Sequence, residues 1–201
     1  MDYEPAARAF KQALSIADQA ENPALKLAVL TDYQHVDGDE LRYSDILERV
    51  PISMQLVSQG QDKFSEYWAH HTAFDSLFST GWLGESKEHT EETLAIAKLD
   101  GDRSRTARAV LQQHFLSHAT GDLAVALELA ATGLGPIGWQ NNGSLLAGGL
   151  VVACELGDLD QAQSYAERLA QVESGSPHEQ SSMALALPVL SQITGDDSLL
   201  A

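Results

Sequence analysis

The stretch Cys154-Glu155-Leu156-Gly157-Asp158-Leu159-Asp160-Gln161-Ala162 decides the fold. An apolar run ends in Gly-Asp and a second amphipathic run starts at once, which is how one helix stops and the next begins. Glycine after a last helical turn accepts the left-handed backbone that closes it, and aspartate accepts the free N–H groups of the following helix. The pair recurs as Gly38-Asp39, Gly121-Asp122 and Gly195-Asp196, with Gly84-Glu85 as a looser copy. Successive spacings are then 46, 37, 36 and 38 residues. Self-similarity at such a period predicts an all-α chain of antiparallel hairpins, each covering the one-sided apolar face of its neighbour.

Outward from that block, the periodic apolar positions predict one repeat domain over 1–201 with about nine to ten helices. A helix over 5–20 carries Ala6, Phe10, Ala13, Leu14 and Ala17 inward, with Pro5 in its first turn. Hairpins follow at roughly 23–59, 62–99, 102–132 and 144–173, then a last helix over 177–194. Gly38 should end the second helix and Asp39 cap the third, which Pro51 should break or kink. Pro188 should kink the last helix, in which Met183, Leu187, Leu190 and Ile193 face inward. The stretch from Gly133 to Gly143 reads as a glycine-rich loop holding Trp139. Leu145 to Leu156 is apolar nearly all round, as a helix covered on both sides should be. Gly148 and Gly149 inside it each cost ~1 kcal/mol of helix propensity against alanine, which predicts close helix approach. The first helix reads as the second half of a hairpin, and Gly195-Asp196 announces another. A piece of a larger chain, or homo-oligomerisation through uncapped terminal helices, is therefore expected.

Twelve Lys and Arg against 29 Asp and Glu leave a net charge of −17. Such a surface repels phosphate backbones and anionic lipid, so neither nucleic acid nor membrane is an expected partner. The single Cys154 forms no intramolecular disulfide and suits a reducing compartment. Asp2 and Glu4 stand where a secretory leader would be basic, and no run of 18 uncharged apolar residues occurs. A cytoplasmic location is the expectation.

The catalytic candidates are thin. Cys154 lies in an apolar helix with no histidine three or four residues away, the setting of an inert thiol. Paired acids such as Glu91-Glu92 and Asp196-Asp197 read as solvated helix faces or caps. No enzyme activity and no cofactor are expected. The metal alternative uses His89, His114 and His118, of which His114 and His118 stand four apart on one helical face.

The Gly-Asp-Leu-x-x-Ala blocks, Gly121-Asp122-Leu123 with Ala126 and Gly157-Asp158-Leu159 with Ala162, resemble a degenerate tetratricopeptide array. By the same register Tyr43 and His89 would stand where Ala126 does. The resemblance implies a right-handed α-solenoid. Its longer, irregular units are similar to the regulatory arms of bacterial signal-transduction ATPases, LuxR-type regulators and nucleotide cyclases, which implies a sensing or protein-binding role. In such arrays the first helix of each pair lines a concave groove. Counted back from Gly84 and Gly121, Phe78 and Phe115 are equivalent, and His71, Phe74, Arg108, Leu111 and His118 fall beside them, with Trp139 as a further anchor. The expectation is a scaffold that binds a peptide or partner protein there. The alternative is an all-helical regulatory domain that binds a small molecule or a metal.

Overall fold

In the computed structural model every regular element among the described residues is a helix. Those residues are 3–60, 62–135 and 142–172, with 184, 186, 188, 189, 191–193 and 195. The chain divides into two compact units, Met1–Asp100 and Gly101–Ala201. The first holds α1 (Tyr3–Gln19), α2 (Pro23–Asp39), α3 (Tyr43–Val57), α4 (Lys63–Ser79) and α5 (Leu83–Asp100). The second holds α6 (Arg103–Ala119), α7 (Leu123–Leu134), α8 (Gly143–Leu156) and α9 (Leu159–Leu169). Isolated residues of the last expected helix, including Ala184, Ala186 and Pro188, are helical, whereas Met183, Leu187 and Leu190 lie outside the described set. None of the helices is long and apolar enough to cross a membrane, among the described residues.

The ends of α2, α4, α6 and α8 share one hydrogen-bond pattern, and it resets the repeat. The residue in the left-handed region is Leu41 after α2, Gly81 after α4, Gly121 after α6 and Gly157 after α8, with φ of 57°, 87°, 84° and 73°. Each donates three residues back, and the next residue donates five back: Leu41 to Gly38 and Arg42 to Asp37, Gly81 to Phe78 and Trp82 to Leu77. Gly121 with Asp122, and Gly157 with Asp158, repeat the pair. This double bond satisfies the last carbonyls of each helix. The intervals become 40, 40 and 36 residues.

Two marks expected from sequence therefore move by three residues. Gly38 lies inside α2, which runs on through Asp39, and α3 starts behind Arg42 with no side-chain cap. Gly84 is the second residue of α5. The turn is defined by the left-handed backbone, and here Leu41 and Gly81 supply it without a following aspartate. Tyr43 and His89 are consequently not the counterparts of Ala126. Ile46 and Ser86 are, and Ile46, Ser86, Ala126 and Ala162 are all exposed by 2% or less. Nor does Pro51 break its helix, since α3 continues on both sides of it. Gly133 belongs to α7, where an added Cβ would stand 2.7 Å from Leu145 Cδ1 and 3.2 Å from Val110 Cγ1.

Other expectations hold. Asp158 caps α9 by accepting from Gln161 N at 3.1 Å, and the structure adds the same cap at Asn22, which accepts from Leu25 N at 3.0 Å at the start of α2. In the second unit α8 packs almost entirely inward around Leu145, Leu146 and Leu150. Its two glycines do bring helices close. A Cβ on Gly148 would lie 2.2 Å from His114 Nε2, and one on Gly149 would lie 2.8 Å from the Tyr165 ring.

The first unit buries Leu27, Leu30, Leu56 and Ala69 in one cluster and Tyr67, Ile96 and Ala97 in another. It also buries a charge. Asp37, 0% exposed, accepts from the Tyr3 hydroxyl at 2.7 Å and pairs with Arg49 and, at 3.7 Å, Arg42. The two guanidiniums in turn lie over the rings of Tyr33 and Tyr3. Two cations and a hydroxyl around one buried carboxylate compensate its lost hydration, and they tie α1, α2 and α3 together.

Candidate functional site

On α4, Phe64, Trp68, His71, Asp75 and Phe78 recur at three- and four-residue steps and so fall on one helical face. Phe64 is 60% exposed and the other four are partly exposed. Trp68 is the hub. Four rings meet it at steep angles: Phe64 at 6.3 Å, Tyr67 at 5.1 Å, His71 at 5.0 Å and, from α2, His35 at 5.0 Å. Edge-to-face contact sets the positive rim of one ring against the negative face of another, which fixes the cluster beyond what area burial alone would do. His35 is held by its Nδ1, which donates to Thr31 O at 2.9 Å, and its ring stacks on that of His71 at 6.3 Å. His71 Nε2 stands 3.5 Å from Asp75 Oδ2. The result is a pre-ordered aromatic surface with ring nitrogens and a carboxylate at its edge.

Counted from Gly121 instead of Gly81, the same positions on α6 are Ser104, Arg108, Leu111, Phe115 and His118. Arg108 is exposed, and Leu111 packs against the core of the second unit. Phe115 lies 5.5 Å from the His114 ring, and His118 Nε2 donates to Glu155 Oε2 on α8 at 3.0 Å. The corrected register therefore makes Asp75, not Phe78, the counterpart of Phe115, and makes Phe78 the counterpart of His118.

Six of the expected binding residues thus fall on two equivalent stripes: His71 and Phe78 on α4; Arg108, Leu111, Phe115 and His118 on α6. Phe74 does not join them. It is 2% exposed and shares its register with Gln34, His114 and Leu150, all buried, so it is core. Trp139 lies outside the described residues. His35, Phe64 and Trp68 join the site beyond the residues expected from sequence, although the spacing of Phe64, Trp68 and His71 is readable as a single face. His35 is not, because only the packing of α2 on α4 brings it to Trp68.

The metal alternative finds its residues otherwise engaged. His89 Nδ1 is 2.9 Å from His70 Nδ1 within the first unit. In the second unit His114 Nδ1 donates to Ala126 O at 2.8 Å, while its Nε2 is closed in against Gly148. Burial pushes the His114 pKa down, so the ring is held neutral. Among the described residues no group of three or more His, Cys, Asp or Glu side chains is arranged to hold a metal ion. Cys154 is only partly buried, yet burial and the neighbouring Glu155 raise its pKa and keep it a thiol.

No protein-family model matches the chain, and no curated protein matches it. Among solved structures it is similar to BtubC (BKLC) from P. vanneervenii, a helical protein. The identity is 16%, the alignment covers 97% of this chain and 84% of that one, and the TM-score is 0.69. At that identity the likeness concerns the fold alone, and the chain is an all-α protein with the fold of that neighbour.

Proposed function

We propose that this chain is a non-catalytic, tetratricopeptide-like scaffold that holds a peptide or a segment of a partner protein against the first helices of its hairpins. The observation that carries the reading is the Trp68 stripe. Aromatic side chains locked by their neighbours offer contact area with little entropy left to lose, which is what an interaction hot spot needs. The even 40-residue spacing of the ends of α2, α4 and α6 and the recurrent small or apolar residue at Ile46, Ser86, Ala126 and Ala162 support a solenoid repeat. Support for the non-catalytic half comes from the six histidines among the described residues, each given a structural contact, and from the thiol's raised pKa. A sensing or interaction arm within a signalling assembly is the role that fits this combination.

The test is selection of binding peptides by the immobilised full chain, followed by affinity measurement on Phe64→Ala, Trp68→Ala and Arg108→Ala variants. Loss of a central aromatic anchor costs about 2 kcal/mol, or about 30-fold in Kd. Selected peptides that bind all three variants as they bind the parent protein would remove the α4 and α6 stripes as binding faces.

A further inference from the structure

We propose that His70 and His89 form an acid-sensitive latch that holds α4 against α5 and lets the hairpin loosen once both rings carry protons. The two Nδ1 atoms are 2.9 Å apart, with ring centroids 5.1 Å apart, so one ring donates to the other's lone pair. A neutral pair, or a pair sharing one extra proton, can keep that bond. A second proton cannot be accommodated, since it sets two N–H groups and two positive charges face to face.

The residues around the latch bias it. Glu66 and Lys63 act on it from α4, and Glu88 and Glu92 act on it from α5. No titratable group of α2 or α3, the other helices packed on α4, acts on it among the described residues. Burial nevertheless outweighs the carboxylates: it lowers the His70 pKa, and together with the His70 charge it lowers that of His89 to about 4. The direction of the effect follows from linkage. An opened hairpin binds protons with an ordinary histidine pKa near 6.5, whereas the closed one resists them. Closure is therefore fully favoured above about pH 6.5 and weakens as the pH falls toward 4. The latch requires no bound partner and stands apart from the binding reading.

The experiment is amide hydrogen exchange on the full chain at pH 7 and pH 5, expressed as protection factors so that intrinsic exchange cancels, with α2 as internal reference. Protection of α5 amides should fall about tenfold relative to α2. In a His70→Gln/His89→Gln variant, which keeps hydrogen-bonding groups without the charge, that fall should vanish. An unchanged α5 protection in the parent, or an equal fall in the variant, overturns the latch. Should the variant not fold, ring-nitrogen NMR of the parent decides. The latch gives two coupled titrations displaced to acid, and independent titration of both rings at the ordinary value refutes it.

Discussion

Gly148→Ala should destabilise the second unit, although it replaces the poorest non-proline helix former with the best. On propensity alone the change gains ~1 kcal/mol. The added methyl, however, would stand 2.2 Å from His114 Nε2 and 3.0 Å from its Cδ2. His114 has nowhere to go, being 0% exposed and tied through Nδ1 to Ala126 O. Overpacking a filled core costs ~1–3 kcal/mol, and pulling a buried N–H off its acceptor costs another ~1–3. The net loss is about 3 kcal/mol once the propensity gain is subtracted. Gly84→Ala is the internal control: it lies in α5 with nothing within 4 Å of its added Cβ, and should stabilise by ~0.5–1 kcal/mol. Urea unfolding followed by far-UV circular dichroism reads both. A combined Gly148→Ala/His114→Ala protein should recover at least ~1 kcal/mol relative to the sum of the single changes. A Gly148→Ala protein as stable as its parent would refute the close approach of α6 and α8.

The other expectations are brief. Leu41→Gly should stabilise by ~0.5–1 kcal/mol, because a left-handed leucine at φ 57° is strained and glycine is not; destabilisation would mean that the helix end is elsewhere. Gly81→Ala, at φ 87°, should cost ~1 kcal/mol in the same denaturation experiment. Asp37→Ala leaves two arginines beside a vacated buried site and should cost ~3–5 kcal/mol, read as a lowered urea midpoint. His114 is held neutral by burial, so its contribution is intact above the ordinary histidine pKa and shrinks as the pH falls below it. A second unit equally stable at pH 7 and pH 5 would contradict that.

Helix content and the hairpin rhythm were legible because glycine and aspartate carry distinct backbone instructions, and at Gly157-Asp158 both instructions are used: φ is 73° and the Asp158 side chain caps α9. The register was only half legible. At Gly38-Asp39 the pair occurs inside a helix, and the left-handed residue three positions later is a leucine that no sequence rule selects. At Gly81-Trp82 the turn has its glycine but no acid, so the nearby Gly84-Glu85 looked the better copy. That three-residue slip paired Phe78 with Phe115 and misassigned the counterparts of Ala126. Phe74 differs for another reason: aromatic residues on adjacent faces of α4 look alike in sequence, and only packing sends Phe74 inward and leaves Trp68 partly exposed. The His70–His89 contact joins residues 19 apart and depends on the phase of two helices, which the sequence pattern did not define.

The most direct test of the proposed binding face is NMR shift mapping of the full chain with a selected peptide, following the indole N–H signals. The Trp68 stripe predicts that the Trp68 indole and the amides of His35, Phe64 and His71 shift with one common affinity. Trp82, 56% exposed on the α4–α5 turn and off the stripe, should stay in place. Saturable binding that moves Trp82 and leaves Trp68 and His35 unmoved would contradict the account.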